Sequence, residues 1–181
     1  MAGHNDSHGQ MHVHEHCLKM ARREDGTPWW AEFPEPRSTP SRVEPERVRQ
    51  LLQDRERASE RHKPRDFLLV DARRTDCTGG MLRGAMNLPA HSFYPARKVL
   101  YELCKQAGIK RVIFYCGLFS LEGSSLGRAP RCAAWLQDYV DEVGGDLRSE
   151  VMVGGIRGWV QAYGGSMMDG YDEKAWRVED R

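Results

Sequence analysis

The stretch that decides the fold reads Arg-Val-Ile-Phe-Tyr-Cys-Gly and covers residues 111–117. A short run of large apolar residues is typical of a strand that is buried on both faces of a parallel sheet. A Gly- and Ser-rich segment follows and reaches Arg128, where helical spacing of apolar residues begins. The stretch therefore predicts a strand, a loop and a helix in succession, with Cys116 where the strand ends.

Three other short apolar runs predict strands, at residues 67–72, 85–88 and 150–153. Amphipathic segments between them predict helices. One has a stripe of Leu100, Leu103, Cys104 and Ala107 before Gly108, and the other has Cys132, Leu136, Tyr139, Val140 and Val143 before Gly144. This alternation predicts an α/β sandwich of three layers, with a mostly parallel central sheet and helices on both faces.

The net charge of the chain and the number of its cysteines indicate which partners and which cellular compartment to expect. The chain has 27 basic and 26 acidic residues and a net charge of +1, which favours neither nucleic acid nor a membrane as a partner. No apolar run has the length of a membrane span, and the N-terminus lacks the pattern of a signal peptide. The five cysteines are scattered and odd in number, as expected of reduced thiols. We expect a soluble intracellular protein, in the cytoplasm or alternatively the nucleus; the sequence gives no oligomeric state.

The composition divides the chain into three segments. Residues 1–27 are predicted to be a disordered His-rich tail, residues 28–65 an extended arm followed by a helix that begins near Glu46, and residues 66–181 the folded domain. The alternation of His12, His14 and His16 before Cys17 could bind zinc or copper. The segment has no apolar pattern that would fix the geometry of the ligands, so we predict no metal site.

The loop after Cys116 has the composition of an anion site. Backbone N–H groups of a Gly- and Ser-rich loop, the N-terminus of the next helix and the planar fork of Arg128 can all converge on a phosphate-like group. The same positive field lowers the pKa of a thiol and so favours the reactive thiolate. The alternative interpretation is that Cys116 is only a small buried hydrophobic residue, as free cysteines often are.

Several spaced motifs resemble those of rhodanese-like domains. They are Leu-Val-Asp-Ala-Arg-Arg-Thr-Asp at residues 69–76, Gly79-Gly80, Gly-Ala-Met-Asn-Leu-Pro-Ala at 84–90 and Gly-Gly-Ile-Arg-Gly-Trp at 154–159. The finer resemblance, carried by Pro28-Trp29 and residues 169–173, is to fungal single-domain proteins. That subgroup is similar to the dual-specificity phosphatases of cell division and to yeast-type arsenate reductases. It implies the rhodanese-like fold for nearly all of the chain.

The resemblance also implies the site residues. Eleven residues separate Cys116 from Arg128, and removing residues 118–123 would leave five, the spacing of the phosphatase and arsenate-reductase branch. On that alignment Cys116 and Arg128 are the expected catalytic residues. The expected substrate-binding residues are Gly117, Ser124, Ser125, Leu126 and Gly127. The six additional residues are compatible with a lid over an intact site, with a site that they disrupt, or with an error in the gene sequence.

The resulting hypothesis is a cysteine-dependent enzyme that acts on a small oxyanion or a phosphorylated substrate. Protein-tyrosine-phosphatase-like and arsenate-reductase activities both fit, with no bound cofactor but with glutathione or another external thiol for arsenate. The first alternative is a sulfurtransferase that forms a persulfide on Cys116. The second is an inactive rhodanese-like module that binds an anionic partner through the altered loop.

Three side chains near the predicted site have competing interpretations. Asp71 could act as a proton donor, but the nearby Arg73 favours a structural ion pair. Cys132 could resolve an oxidised Cys116, but its place on an apolar stripe favours burial. Cys77 lies in a predicted loop and is assigned no role.

Overall fold

The computed structural model describes residues 26–59, 65–117 and 127–177 of the chain. The chain divides into two compact units, Met1–Glu35 and Pro36–Arg181. In the first unit, two successive turns are closed by the Ala31 N–H on the Pro28 carbonyl and the Phe33 N–H on the Trp30 carbonyl, at 3.0 and 2.9 Å. The His-rich segment lies outside the described residues, so its predicted disorder stays a prediction.

The second unit contains the predicted alternation of strands and helices. Its strands are β1 (Ser41–Val43), β2 (Phe67–Asp71), β3 (Met81–Leu82), β4 (Met86–Asn87), β5 (Arg111–Tyr115), β6 (Arg148–Met152) and β7 (Met168–Asp169). Its α-helices are α1 (Pro45–Ser59), α2 (Ala90–Gln106), α3 (Arg128–Glu142) and α4 (Gly155–Tyr163), and Glu173–Ala175 forms a short 3₁₀ helix. Both β1 and α1, which lie within the predicted arm-and-helix segment, are part of this unit.

The main sheet has the strand order β1-β6-β5-β2-β4, and every neighbouring pair is parallel. In the centre, Leu69 of β2 is paired with Ile113 of β5, and Ile113 with Glu150 of β6. A separate ribbon joins β3 and β7 in antiparallel fashion, with Met81 opposite Asp169. The parallel pairing places the carboxyl ends of β2, β5 and β6 at one edge of the sheet.

Alternating side chains of β5 pack on different helices, as the period of two residues in a strand requires. Ile113 and Tyr115 share one apolar cluster with Leu52 of α1 and Trp159 of α4. Phe114 points to the opposite face, where its ring meets that of Phe93 of α2 at 5.2 Å. On that face Tyr94 of α2 and Trp135 of α3 are also in edge contact, at 5.2 Å. The predicted sandwich of helices on both faces of a mostly parallel sheet is thus confirmed.

Three members of the predicted apolar stripes are wrongly placed. Leu103 is 54% exposed and Val143 is 46% exposed, and Ala107, the C-terminal cap of α2, is exposed as well. Leu100, Cys104 and Leu136 are buried. In α2 the buried face is centred between Phe93, Leu100 and Cys104, and Leu103 lies roughly 80° around the helix from that direction. Val143 follows the last residue of α3 as its C-terminal cap, where the chain leaves the packed face.

None of the helices within the described ranges combines the length and apolar character that a bilayer-spanning helix needs.

Candidate active site

Cys116 directly follows β5 and is buried at the carboxyl edge of the sheet. The neighbouring strands β2 and β6 end at the same edge, because Asp71 is paired with Tyr115 and Val151 with Phe114. In open parallel sheets, ligands bind in the crevice outside the carboxyl ends of the strands. The predicted nucleophile therefore lies where this architecture places ligand sites.

The backbone of Cys116 and Gly117 is held by the first turn of α4. The Ile156 N–H donates to the Cys116 carbonyl at 2.9 Å, and the Arg157 N–H donates to the Gly117 carbonyl at 3.1 Å. Since the C=O and N–H of a trans peptide point in opposite directions, the Gly117 N–H is directed away from α4. The Gly-rich block at residues 154–159 thus fixes the peptide orientation of the candidate nucleophile loop.

Gly155 is required for this contact. Its φ of +57° is in the left-handed region, and a Cβ atom at this position would overlap the Cys116 carbonyl oxygen. Glycine alone combines that backbone conformation with such a close approach between two chain segments. The first helical residue of α4 can therefore lie directly against the cysteine backbone.

Arg128 is the first residue of α3, and its guanidinium reaches Gly117, which directly follows Cys116. A methyl group built on Gly117 would lie 3.7 Å from Arg128 Nη2. The two expected catalytic residues are therefore near each other at the edge of the sheet, although eleven residues separate them in sequence. Gly127 forms the N-cap of α3 in an extended conformation. Ser124, Ser125 and Leu126 lie outside the described residues, as does the six-residue insertion.

Asp76, which no sequence pattern singles out, also lies at this site. Its Oδ1 and Oδ2 accept hydrogen bonds from Arg128 Nη1 and Nη2, at 2.7 and 2.5 Å. The loop from β2 delivers Asp76 to the same sheet edge as Cys116. That location is the signal that could have found it, since loops after neighbouring parallel strands meet at one edge.

The Asp76 carboxyl is strongly acidic in this setting. Burial alone would raise its pKa, but the hydrogen bonds and charge of Arg128 outweigh burial and hold the pKa at about 2. Asp76 is therefore ionised throughout the neutral range and, while paired with Arg128, has no proton to donate.

Asp71 and Arg73 form a buried ion pair behind the site, with 2.6 Å between Arg73 Nη2 and Asp71 Oδ2. The same guanidinium donates to the carbonyl oxygens of Asp76, Thr78 and Gly80, at 3.4, 3.3 and 2.7 Å. These contacts support the structural interpretation of Asp71 over a role as proton donor. The ion pair therefore holds the loop that carries Asp76 against the end of β2.

The other described thiols are poor nucleophiles. Burial raises the pKa of Cys104 to about 11, and burial together with the neighbouring Asp71 carboxylate raises that of Cys77 to about 11. Burial, assisted by the nearby Cys116, raises the pKa of Cys132 well above its usual value. Cys132 is fully buried on α3, as its place on the apolar stripe predicted. Because the thiolate is the reactive form, these three groups are largely unreactive at neutral pH.

The described residues contain no group of three or more His, Cys, Asp or Glu side chains arranged to hold a metal ion. The alternating histidines near the N-terminus are outside those residues, so their predicted lack of a metal site stays a prediction.

Several solved structures resemble this chain in fold. Two structures of one protein from Saccharomyces cerevisiae align with 78% of this chain. The first is described as a homologue of single-domain rhodanese and of the Cdc25 phosphatase catalytic domain. It is 25% identical over 94% of its own chain, with a TM-score of 0.59. The second, described as a yeast protein tyrosine phosphatase of the rhodanese family, is 26% identical over 99% of its chain, with a TM-score of 0.58. This chain has the rhodanese-like fold.

The arsenic and antimony reductase of Leishmania major is a third rhodanese-like neighbour. It is 20% identical, and the alignment covers 71% of this chain and 84% of the reductase, with a TM-score of 0.58. At that identity the likeness shows the fold. No protein-family model and no curated protein matches the chain. The rhodanese-like prediction is thus confirmed by structure, and the resemblance to fungal proteins stays an expectation.

Proposed function

We propose that this rhodanese-like chain is a cysteine-dependent enzyme that acts on phosphate-like oxyanions, with the Cys116 thiolate as the nucleophile. The observation that carries the proposal is the approach of the Arg128 guanidinium to Gly117, directly after Cys116. A planar guanidinium near the end of this strand supplies a binding group for oxygen atoms, and its positive charge, which Asp76 partly offsets, favours the thiolate. The yeast neighbour described as a tyrosine phosphatase and the Leishmania reductase agree with this class of substrate.

With a phosphate ester, the Cys116 sulfur attacks phosphorus, an S–P bond forms and the P–O bond to the leaving group breaks. The leaving oxygen takes a proton, and water then attacks phosphorus to release inorganic phosphate and regenerate the thiolate. Arg128 and the Gly117 N–H are suited to stabilise the negative charge on the nonbridging oxygens. The helix N-terminus at Arg128 adds partial positive charge on the same side.

With arsenate, the thiolate forms an S–As bond and one As–O bond breaks, and the released arsenate oxygen is protonated and leaves as water. An external thiol such as glutathione then attacks the Cys116 sulfur, so that the two sulfurs form a disulfide while arsenic accepts two electrons and leaves as arsenite. A further thiol reduces the disulfide and regenerates Cys116. No bound cofactor is needed for either reaction, and we place both in the reducing environment of the cytoplasm or nucleus.

A panel of three reactions separates the chemistries. The purified protein is assayed with an aryl phosphate, with arsenate plus glutathione, and with thiosulfate plus cyanide. Turnover in the first or second assay supports the proposal. Turnover only with thiosulfate would instead show a sulfurtransferase, in which the thiolate takes the outer sulfur, releases sulfite and passes that sulfur to cyanide.

An absence of Cys116-dependent turnover in all three assays contradicts the enzyme hypothesis. The binding-module alternative then predicts that anion binding persists in Cys116→Ser and falls in Arg128→Ala.

A further inference from the structure

The loop that carries Asp76 is held in place by hydrogen bonds from Arg73 and by hydrogen bonds within its own turn. The buried Arg73 guanidinium donates to three carbonyl oxygens of the loop, including that of Asp76 itself. The Asp76 side chain also accepts the Arg74 N–H at 2.9 Å, and the Cys77 N–H donates to the Arg74 carbonyl at 3.2 Å. These hydrogen bonds fix the turn, and the turn holds the Asp76 carboxylate against Arg128.

The ion pair that results is shielded from solvent. The side chains of Arg128 and Asp76 are only 11% and 22% exposed, and both oxygens of the carboxylate are engaged. Each oxygen contacts a different terminal nitrogen, so Asp76 binds the end of the guanidinium that lies between Nη1 and Nη2.

We propose that Asp76 is a positioning residue, which holds the Arg128 guanidinium with its Nη2 beside Gly117, where the guanidinium can meet an oxyanion at Cys116. The inference rests on the proposed function for its substrate class. A long arginine side chain has many rotamers. If one of them is fixed before the anion binds, binding no longer costs the conformational entropy of that side chain. The pairing also tolerates a wide range of pH, since Asp76 stays ionised when paired.

The opposite role would be that of an internal competitor, in which the Asp76 carboxylate occupies the place of the substrate and must leave. Such a competitor needs a loop that can withdraw. Here the buried Asp71–Arg73 pair and the turn at Arg74 fix the loop, which favours positioning over competition. The two roles predict opposite effects on anion binding when the carboxylate is removed.

The first test requires neither substrate nor turnover. Phenylglyoxal modifies accessible arginine side chains, and peptide mass mapping locates the modified residue. We expect Arg128 to be modified slowly in the wild type and at least about 10-fold faster in Asp76→Ala, with an intermediate rate in Asp76→Asn, which keeps one acceptor oxygen but no charge. Equal rates in the wild type and both variants would overturn the proposal.

A matched control exists in the pair of Arg111 and Glu150, which is also partly buried, with 2.7 Å between Arg111 Nη2 and Glu150 Oε2. In Glu150→Ala, modification of Arg111 should accelerate while that of Arg128 stays unchanged. An accelerated Arg128 in this variant would show a general loosening of the fold and would count against a specific role for Asp76. Circular dichroism checks that each variant is folded. If Asp76→Ala does not fold, Asp76→Asn takes its place in the comparison.

The second test measures the binding of inorganic phosphate by calorimetry in the Cys116→Ser background, where no reaction can follow. Positioning predicts at least about 10-fold weaker binding when Asp76→Ala is added, and no change with Glu150→Ala. Equal or tighter binding would overturn positioning, and tighter binding would establish competition. If the Cys116→Ser protein binds no phosphate at all, the proposed function is contradicted, and the phenylglyoxal rates alone decide whether Asp76 positions Arg128.

Discussion

Replacing Cys116 by serine is expected to abolish turnover in whichever oxyanion assay the wild type supports, with a loss of at least about 10⁴-fold. The substitution changes one atom and preserves the backbone hydrogen bonds from Ile156 and Arg157 to the loop. A serine hydroxyl is not ionised at neutral pH, so the anionic nucleophile is lost while the anion site is retained. Steady-state rates for the wild type and the variant measure the effect.

The matched control is Cys104→Ser. Cys104 is a buried thiol on α2, and its carbonyl accepts the Ile109 N–H near the amino end of β5, at the edge of the sheet opposite Cys116. This variant carries the same chemical change and should retain the activity of the wild type within about twofold. A Cys116→Ser protein that turns over substrate at the wild-type rate would remove Cys116 from the mechanism.

Gly155→Ala is expected to have the second large effect, on stability and activity together. The alanine Cβ would overlap the Cys116 carbonyl oxygen and would require a left-handed backbone at φ of +57°. Strain and overpacking together should lower the free energy of unfolding by about 3 kcal/mol. Relief of the overlap would displace the Cys116 peptide, and a displacement of that kind should lower turnover on the order of 10²-fold.

Gly108→Ala separates backbone strain from the close contact. Gly108 also has a left-handed backbone, with φ of +71°, but a Cβ there would meet nothing within 4 Å. We expect it to lose only about 1 kcal/mol of stability and no activity. Urea unfolding and turnover of both variants test the comparison. If the two variants behave alike, the packing of α4 on the Cys116 backbone does not matter.

The central strands could be predicted because burial on both faces leaves a local signature. β2 and β5 are short runs of large apolar residues, and the run that predicted β6 overlaps the observed strand. The run that predicted β4 also overlaps the observed strand, although β4 lies at the edge of the sheet and both of its residues are exposed. The strand β1 was not predicted, since Ser41, Arg42 and Val43 carry no apolar run and the strand is defined by its pairing with β6. The ribbon of β3 and β7 has only two residues in each strand, too few for any periodic pattern.

The predicted site shows the same division between local and distant information. Cys116 could be located from the strand and loop around it, and Arg128 from its position at the start of α3. The partner of Arg128 could not be predicted, because Asp76 is 52 residues away in sequence and the two residues are brought together by the order of the strands in the sheet. Opposite charges at such a separation have no sequence pattern. The same holds for Ile156 and Arg157, whose role lies in their backbone N–H groups and not in their side chains.

The central claim is that Cys116 carries the reactive thiolate of this rhodanese-like domain, and alkylation by iodoacetamide at pH 7 tests it most directly. Peptide mass mapping gives a separate rate for each cysteine. Burial raises the pKa of Cys77 and of Cys104 to about 11 and that of Cys132 well above its usual value, so all three thiols are protonated at pH 7. Their alkylation should therefore be slow at pH 7 and accelerate only in strong base. We predict that Cys116 is alkylated at least about 10-fold faster than any of these three. A rate at Cys116 no higher than that at Cys77 would contradict the claim.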